Sequence, residues 1–324
     1  MEVSLTHALL HHHCLVRLAF RTTFSTHSSK KGMASGALVQ SVRPLVTLHP
    51  PVAPSAPAAP RISEEQVQQF EEDGATVLRG FFSSEWIEQL RVAAEENLKN
   101  PGPLCDESVK PGEPGRFHDD QFLWMRYEVM KRFIFESPAA EIARRMSRAN
   151  QMRLLHDHLI VKEPGTQTTT PWHNDHSYWP LKGNQIISVW VALDYVPKSS
   201  CVQYVKGSHR WQLLHKLNTF SGEAERYKAM ADLPPAPDID SMSDKVELLS
   251  WDLVPGDCLV HQSFSVHGAP GISSSASRVG DDVRWDPRPG TLDFSWRTKG
   301  NLDPNLSVGS PMDSDLFPVV ARRS

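Results

Sequence analysis

The chain has 324 residues, 40% of them apolar and 22% charged, the balance of a globular protein long enough for one large domain or two modest ones. A net charge of −4 provides neither the basic field that nucleic acid requires nor an acidic tail, so no nucleic-acid partner is expected. No run of eighteen apolar residues occurs, which excludes a membrane-spanning helix.

Residues 1–60 read as lying outside the fold. Between Val3 and Ile62 there is no Asp or Glu, while Arg17, Arg21, Lys30, Lys31 and Arg43 are basic and Ser, Thr and His are plentiful. That composition predicts an organelle transit segment, for a mitochondrion or plastid. A secretory signal is the rival, but His11-His12-His13 interrupts its apolar core; a tail with no address would leave the protein cytoplasmic. Pro44, Pro50, Pro51, Pro54, Pro57 and Pro60 predict a stiff linker, and residues 61–324 the folded domain. Cys14 falls in the transit segment, and Cys105, Cys201 and Cys258 form no Cys-x-x-Cys pair, so they read as plain buried thiols.

The domain opens with a helix. Ser63 and Gln66 have capping-box spacing, Val67 and Phe70 lie one turn apart, and Gly74 stops the pattern. Ala75-Thr76-Val77-Leu78 predicts a strand; Ser84 would cap a second helix with Trp86, Leu90 and Ala94 on one stripe. The Pro-, Gly- and Asp-rich stretch 99–120 predicts a loop, and Phe122 to Arg148 a helical segment broken at Pro138. Strands follow at 154–162, at the β-branched run 185–194, at 201–205, and after the Pro255-Gly256-Asp257 turn at 258–261. Short strands separated by turns predict an antiparallel sandwich or barrel with the helices packed outside.

The chemistry centres on Thr170-Pro171-Trp172-His173-Asn174-Asp175-His176. Two side chains separated by one residue on a strand share a face, so His173 and Asp175 converge. With a second His they would form the two-His, one-carboxylate facial triad of non-haem Fe(II) oxygenases, and His267, beyond an apolar strand-like run, is the candidate. The His-x-Asp pattern occurs again at His118-Asp119-Asp120, but in a polar segment with no matching distal His.

From about Ile62 to Val320 the chain resembles the phytanoyl-CoA dioxygenase family of Fe(II)/2-oxoglutarate oxygenases. The resemblance is carried by Phe70-Glu71-Glu72-Asp73-Gly74, Lys162-Glu163-Pro164-Gly165, Thr170 to Asp175, Lys206-Gly207-Ser208-His209, Pro255-Gly256-Asp257, His267-Gly268-Ala269-Pro270-Gly271 and Gly280-Asp281-Asp282. It implies a mainly β fold with flanking helices, the double-stranded β-helix or cupin-like jelly roll. It implies that His173, Asp175 and His267 hold Fe(II), and that Arg278 grips the distal carboxylate of 2-oxoglutarate through a bidentate contact. Asn174 and Trp190 match positions that touch the cosubstrate, and Lys162 is a further candidate for it. The reaction implied is hydroxylation of a small organic or acyl substrate with O2, releasing succinate and CO2, with ascorbate as a possible support and a monomer or weak homo-oligomer as the assembly.

Other residues have plainer readings. His156, His158, His209 and His261 read as polar strand or loop residues, Lys206 to His209 as a turn, and Trp172, Tyr178 and Trp179 as packing or pocket lining. His176 has the opposite strand parity to Asp175, and Arg284 and Arg288 read as solvated loop residues. One spacing departs from the family: Gly280-Asp281-Asp282 follows almost directly on Arg278, predicting a strand shortened by roughly six to ten residues. A non-catalytic jelly-roll binding protein or truncated inactive isoform is the alternative this raises. A halogenase on the same scaffold is disfavoured because Asp175 is present.

Overall fold

The computed structural model describes residues 61–324 apart from 110, 111, 113, 180, 217–231, 243, 273–277, 287–305, 308 and 324, and describes the backbone alone over 278–286. The transit segment, the linker, Cys14 and Arg288 therefore lie outside the described residues.

Helix α1 (Glu64–Asp73) carries the expected capping box: Gln66 N–H donates to Ser63 Oγ at 3.2 Å and Ser63 N–H to Gln66 Oε1 at 2.8 Å. Gly74 ends it at φ +82°, where a Cβ would come within 2.2 Å of His209 Nδ1, so glycine alone fits. Strand β1 (Ala75–Leu78) follows, then α2 (Ser84–Lys99). Its cap is Ser83, whose hydroxyl accepts from Trp86 N–H, and not the expected Ser84, which is already helical. The stretch expected to be a loop contains strands β2 (Asp106–Glu107) and β3 (Phe117–Gln121). Helices α3 (Glu128–Glu136) and α4 (Ala139–Met146) flank the Pro138 break.

The remaining strands are β4 (Gln151–Lys162), β5 (Thr170–His173), β6 (Ile187–Ala192), β7 (Gln203–Val205), β8 (Leu248–Leu249), β9 (Cys258–Gln262), β10 (His267–Ala269), β11 (Arg278–Asp286) and β12 (Val319–Arg322). They form an eight-stranded sheet, β1-β9-β6-β11-β4-β3-β2 with β12 beside β4, and a four-stranded sheet, β5-β10-β7-β8. Every pairing is antiparallel, as expected for a jelly roll.

Alternation along β6 shows how the layers form. Ile187, Val189 and Val191 join the core beneath the helices with Val67, Phe70, Leu90, Phe133 and Ile142. Trp190 and Ala192 face the other way and pack with Tyr204 of β7 and Leu259 of β9 between the sheets. A strand buried on both faces needs an unbroken β-branched run, which is what this segment supplies. Ser188 is the exception, and it points to the site.

Strand β11 continues past the point where the spacing predicts it to end. It runs nine residues, pairing with β4 from Arg278↔Lys162 to Asp286↔Arg153 and with β6 on its other side. Gly280-Asp281-Asp282 sits inside the strand instead of ending it. Arg284 is likewise a strand residue, not a loop residue.

Candidate metal centre

His173 closes β5, and Asn174 then caps a 3-10 turn, Asp175–Tyr178. Asn174 Oδ1 accepts from Ser177 N–H at 3.1 Å and from the Ser177 hydroxyl at 2.8 Å, while Nδ2 donates to Leu213 O at 2.8 Å. Asp175 thus occupies the first position of a turn, and strand alternation is not what aims it beside His173. The Asn174 amide thus holds the turn that carries Asp175. His267 opens β10, directly opposite His173 on β5 and Tyr204 on β7.

The three candidate ligands are all buried and each offers one donor atom within 4.8 Å of the others. Asp175 Oδ1 lies 3.6 Å from Nε2 of both His173 and His267, and the two rings are 4.3 Å apart. Nδ1 of His173 faces Pro171 O at 2.7 Å and Nδ1 of His267 faces Ser265 O at 2.9 Å. A carbonyl only accepts, so each Nδ1 carries hydrogen and each Nε2 presents a lone pair to the shared point. Burial, then the neighbouring His173, holds His267 well below the usual imidazole range, which keeps it neutral. Two imidazole nitrogens and one carboxylate oxygen are a donor set that fits Fe(II).

The second oxygen of Asp175 is separately engaged. His261 Nε2 lies 3.0 Å from Oδ2, Ser188 Oγ donates to it at 3.3 Å, and Tyr204 Oη is 3.2 Å from His261 Nδ1. His261 had read as an ordinary polar strand residue. The available signal was a polar side chain at an inward-facing position of an apolar strand, shared by Ser188 and His261, which are register partners.

Lys162 is fully buried, donating to Thr168 O at 3.1 Å and Thr170 Oγ1 at 3.0 Å, with its ammonium 4.3 Å from the Phe117 ring centroid. Its backbone partner on β11 is Arg278. Trp190 is buried between the sheets with Tyr204, whose ring lies 5.5 Å from His267. Tyr178 meets His173 edge-on at 5.5 Å, Trp179 meets His156 edge-on at 6.2 Å, and Trp172 donates to Asp240. His176 stacks on Phe264 at 4.0 Å. His158 pairs with Asp119 at 3.1 Å, and His209 joins Glu71 O as part of the predicted turn.

The other His-x-Asp copy lies on β3. His118 and Asp120 share a face, as strand geometry requires, and hold Asn97 of α2 between them. Cys105, Glu107 and His118 also bring donor atoms together, but Arg116 forks onto Glu107 with Nε 2.9 and 3.2 Å from its two oxygens. That group is an ion-pair network. Cys105 is half-buried, where burial pushes its thiol up to about 12; Cys201 and Cys258 are buried.

Among the described residues no helix is long and apolar enough to cross a membrane. No curated protein sequence matches the chain. Among solved structures, the non-haem α-ketoglutarate-dependent carbocyclase SnoK from nogalamycin biosynthesis is similar over 80% of this chain and 97% of its own, at 23% identity and a TM-score of 0.65. EctD from S. alaskensis with 2-oxoglutarate and 5-hydroxyectoine is similar over 74% and 85%, at 19% identity and a TM-score of 0.58. The same protein with bound Fe covers 79% and 89% at 17% identity and a TM-score of 0.58. These likenesses show the jelly-roll fold. A family model described as phytanoyl-CoA dioxygenase (PhyH) matches residues 70–280, well over half of the chain. The chain therefore belongs to the phytanoyl-CoA dioxygenase family and is a non-haem iron, 2-oxoglutarate-dependent oxygenase.

Proposed function

We propose that the protein hydroxylates a small organic or acyl substrate. The observation that carries this reading is the convergence of three buried donors, two imidazole lone pairs and one carboxylate oxygen, on a single point. In this reading His173, Asp175 and His267 hold Fe(II). When bound there with 2-oxoglutarate and O2, the metal supplies the oxidising chemistry, and 2-oxoglutarate leaves as succinate and CO2. The protein orients the reactants and excludes water.

Lys162 and Arg278 would hold the cosubstrate. They are backbone partners on neighbouring strands, and Lys162 is a buried ammonium. Register partners of like charge on neighbouring strands suit an anionic cosubstrate, which offsets the repulsion between such residues. Tyr178, edge-on to His173, would supply a wall beside the ligands. A non-catalytic binding protein or truncated inactive isoform is the alternative reading, and turnover separates the two. We also propose that residues 1–60 address the protein to a mitochondrion or plastid.

Succinate release tests the catalytic reading. Wild-type protein with Fe(II), O2 and 2-oxoglutarate should release succinate, faster with an accepted substrate, and Asp175→Ala should not. Equal release by both proteins would remove the metal centre from the account.

A further inference from the structure

We propose that His261 is a positioning residue that makes Asp175 a one-oxygen ligand, and that Tyr204 sets the tautomer in which His261 does so. The inference rests on the metal reading of the site. A carboxylate free to rotate can chelate through both oxygens, which takes a coordination position that substrate-side chemistry needs. Here Oδ2 is held by His261 Nε2 at 3.0 Å and by the Ser188 hydroxyl at 3.3 Å, while Oδ1 faces both ligand imidazoles at 3.6 Å.

The proton placement follows from the partners. An ionised carboxylate only accepts, so His261 Nε2 carries hydrogen, and in the neutral imidazole Nδ1 then keeps a lone pair. The Tyr204 hydroxyl, 3.2 Å away, donates to that lone pair. The resulting chain runs Tyr204 O–H to His261 Nδ1, then His261 Nε2–H to Asp175 Oδ2. All three side chains are at most 3% exposed, so water does not compete for these bonds.

The support draws on both sheets. Ser188 on β6 and His261 on β9 are register partners, which puts both polar groups on the inward face; Tyr204 comes from β7 of the smaller sheet, directly opposite His267. Because a ligand's hydrogen-bonded partner fixes both its orientation and its basicity, losing one typically costs 10–100-fold in metal affinity.

The test uses Co(II) alone as probe on the full chain, with affinity from calorimetry and coordination from the cobalt ligand-field absorption. His261→Phe keeps the ring and removes the donor; it should bind Co(II) about 10–100-fold more weakly and shift the absorption band. His261→Gln can return an N–H near the Nε2 position and should recover most of the affinity and the wild-type band. Tyr204→Phe should move both readouts in the direction of His261→Phe, by less. Melting curves without metal show whether each variant folds, and the Gln and Tyr204 variants decide the matter if His261→Phe does not. Wild-type affinity and spectrum in folded His261→Phe, or equal weakness of the Phe and Gln variants, would overturn the proposal. A wild-type protein that does not bind Co(II) would instead overturn the metal reading and this inference with it.

Discussion

His118 Nε2 lies 2.7 Å from Asn97 Oδ1, and the Asn97 amide donates to Asp120 Oδ2 at 2.7 Å, so this His-x-Asp pair clasps a helix side chain. His173 and Asp175 have the same spacing and converge on an open point with His267. Spacing alone does not separate the two; what faces each pair does. His118→Ala should leave metal binding intact while lowering stability by about 1–3 kcal/mol, because buried Asn97 loses its donor. Asp175→Ala should abolish metal binding. Retained metal in Asp175→Ala, or lost metal in folded His118→Ala, would mean the wrong copy has been assigned.

The cosubstrate anchor yields a graded prediction. If Lys162 and Arg278 hold the carboxylate of 2-oxoglutarate, removing either cation costs roughly 2–5 kcal/mol of binding, or about a 30-fold loss and more. Arg278→Lys should recover part of the loss, since an ammonium cannot make the two-pronged contact. Lys162→Met should weaken 2-oxoglutarate and leave Co(II) affinity close to wild type. Calorimetry with metal preloaded measures both, and unchanged 2-oxoglutarate affinity in Arg278→Ala would move the anchor elsewhere.

Asp157 predicts a pH dependence of stability that does not involve the metal. Its side chain is 1% exposed, accepting from Trp124 N–H at 2.8 Å, and burial raises its carboxyl to about 7. The folded chain therefore keeps a proton that the unfolded chain gives up near the ordinary carboxylate value. Stability from this group is fully present below about pH 4 and is lost as pH rises through about 7. Asp157→Asn keeps an acceptor for Trp124 without the charge, so it should raise stability at pH 8 by on the order of a few kcal/mol, and by about a third of that at pH 5. Denaturant midpoints at the two pH values check this; equal shifts at both would contradict it.

Among the described residues the core begins at Ile62, with Val67 and Phe70 in the same cluster as Leu90 of α2 and Val189 of β6. Deleting residues 1–60 should leave the melting temperature unchanged. If the segment is a transit peptide, the mature protein should start between Phe20 and Arg61. N-terminal sequencing that finds Met1 or Glu2 would sink that reading.

Much of the architecture was legible because local patterns and burial agree. The Ser63–Gln66 box and the β-branched run around Val189 each form the element that their chemistry favours. Strand β3 was missed because Phe117-His118-Asp119-Asp120-Gln121 reads as polar loop; it is buried only because Asn97, Arg126 and His158 satisfy its side chains from distant parts of the chain. The candidate ligands follow from residue type, but strand alternation does not place Asp175, since a turn capped by Asn174 aims it. His261 was invisible as a partner of Asp175 because the contact joins residues 86 apart in sequence. Gly280-Asp281-Asp282 looked like a strand end, yet pairing on both sides carries β11 through it.

The central claim is that His173, Asp175 and His267 form one metal site that accepts 2-oxoglutarate. Anaerobic titration of the protein with Fe(II) and then 2-oxoglutarate, followed by the metal-to-cosubstrate charge-transfer absorption, tests it directly. The account predicts a saturable band at one iron per chain, absent from Asp175→Ala and from His267→Ala, and present in His118→Ala. No band in the wild-type protein, or an undiminished band in Asp175→Ala, would contradict it.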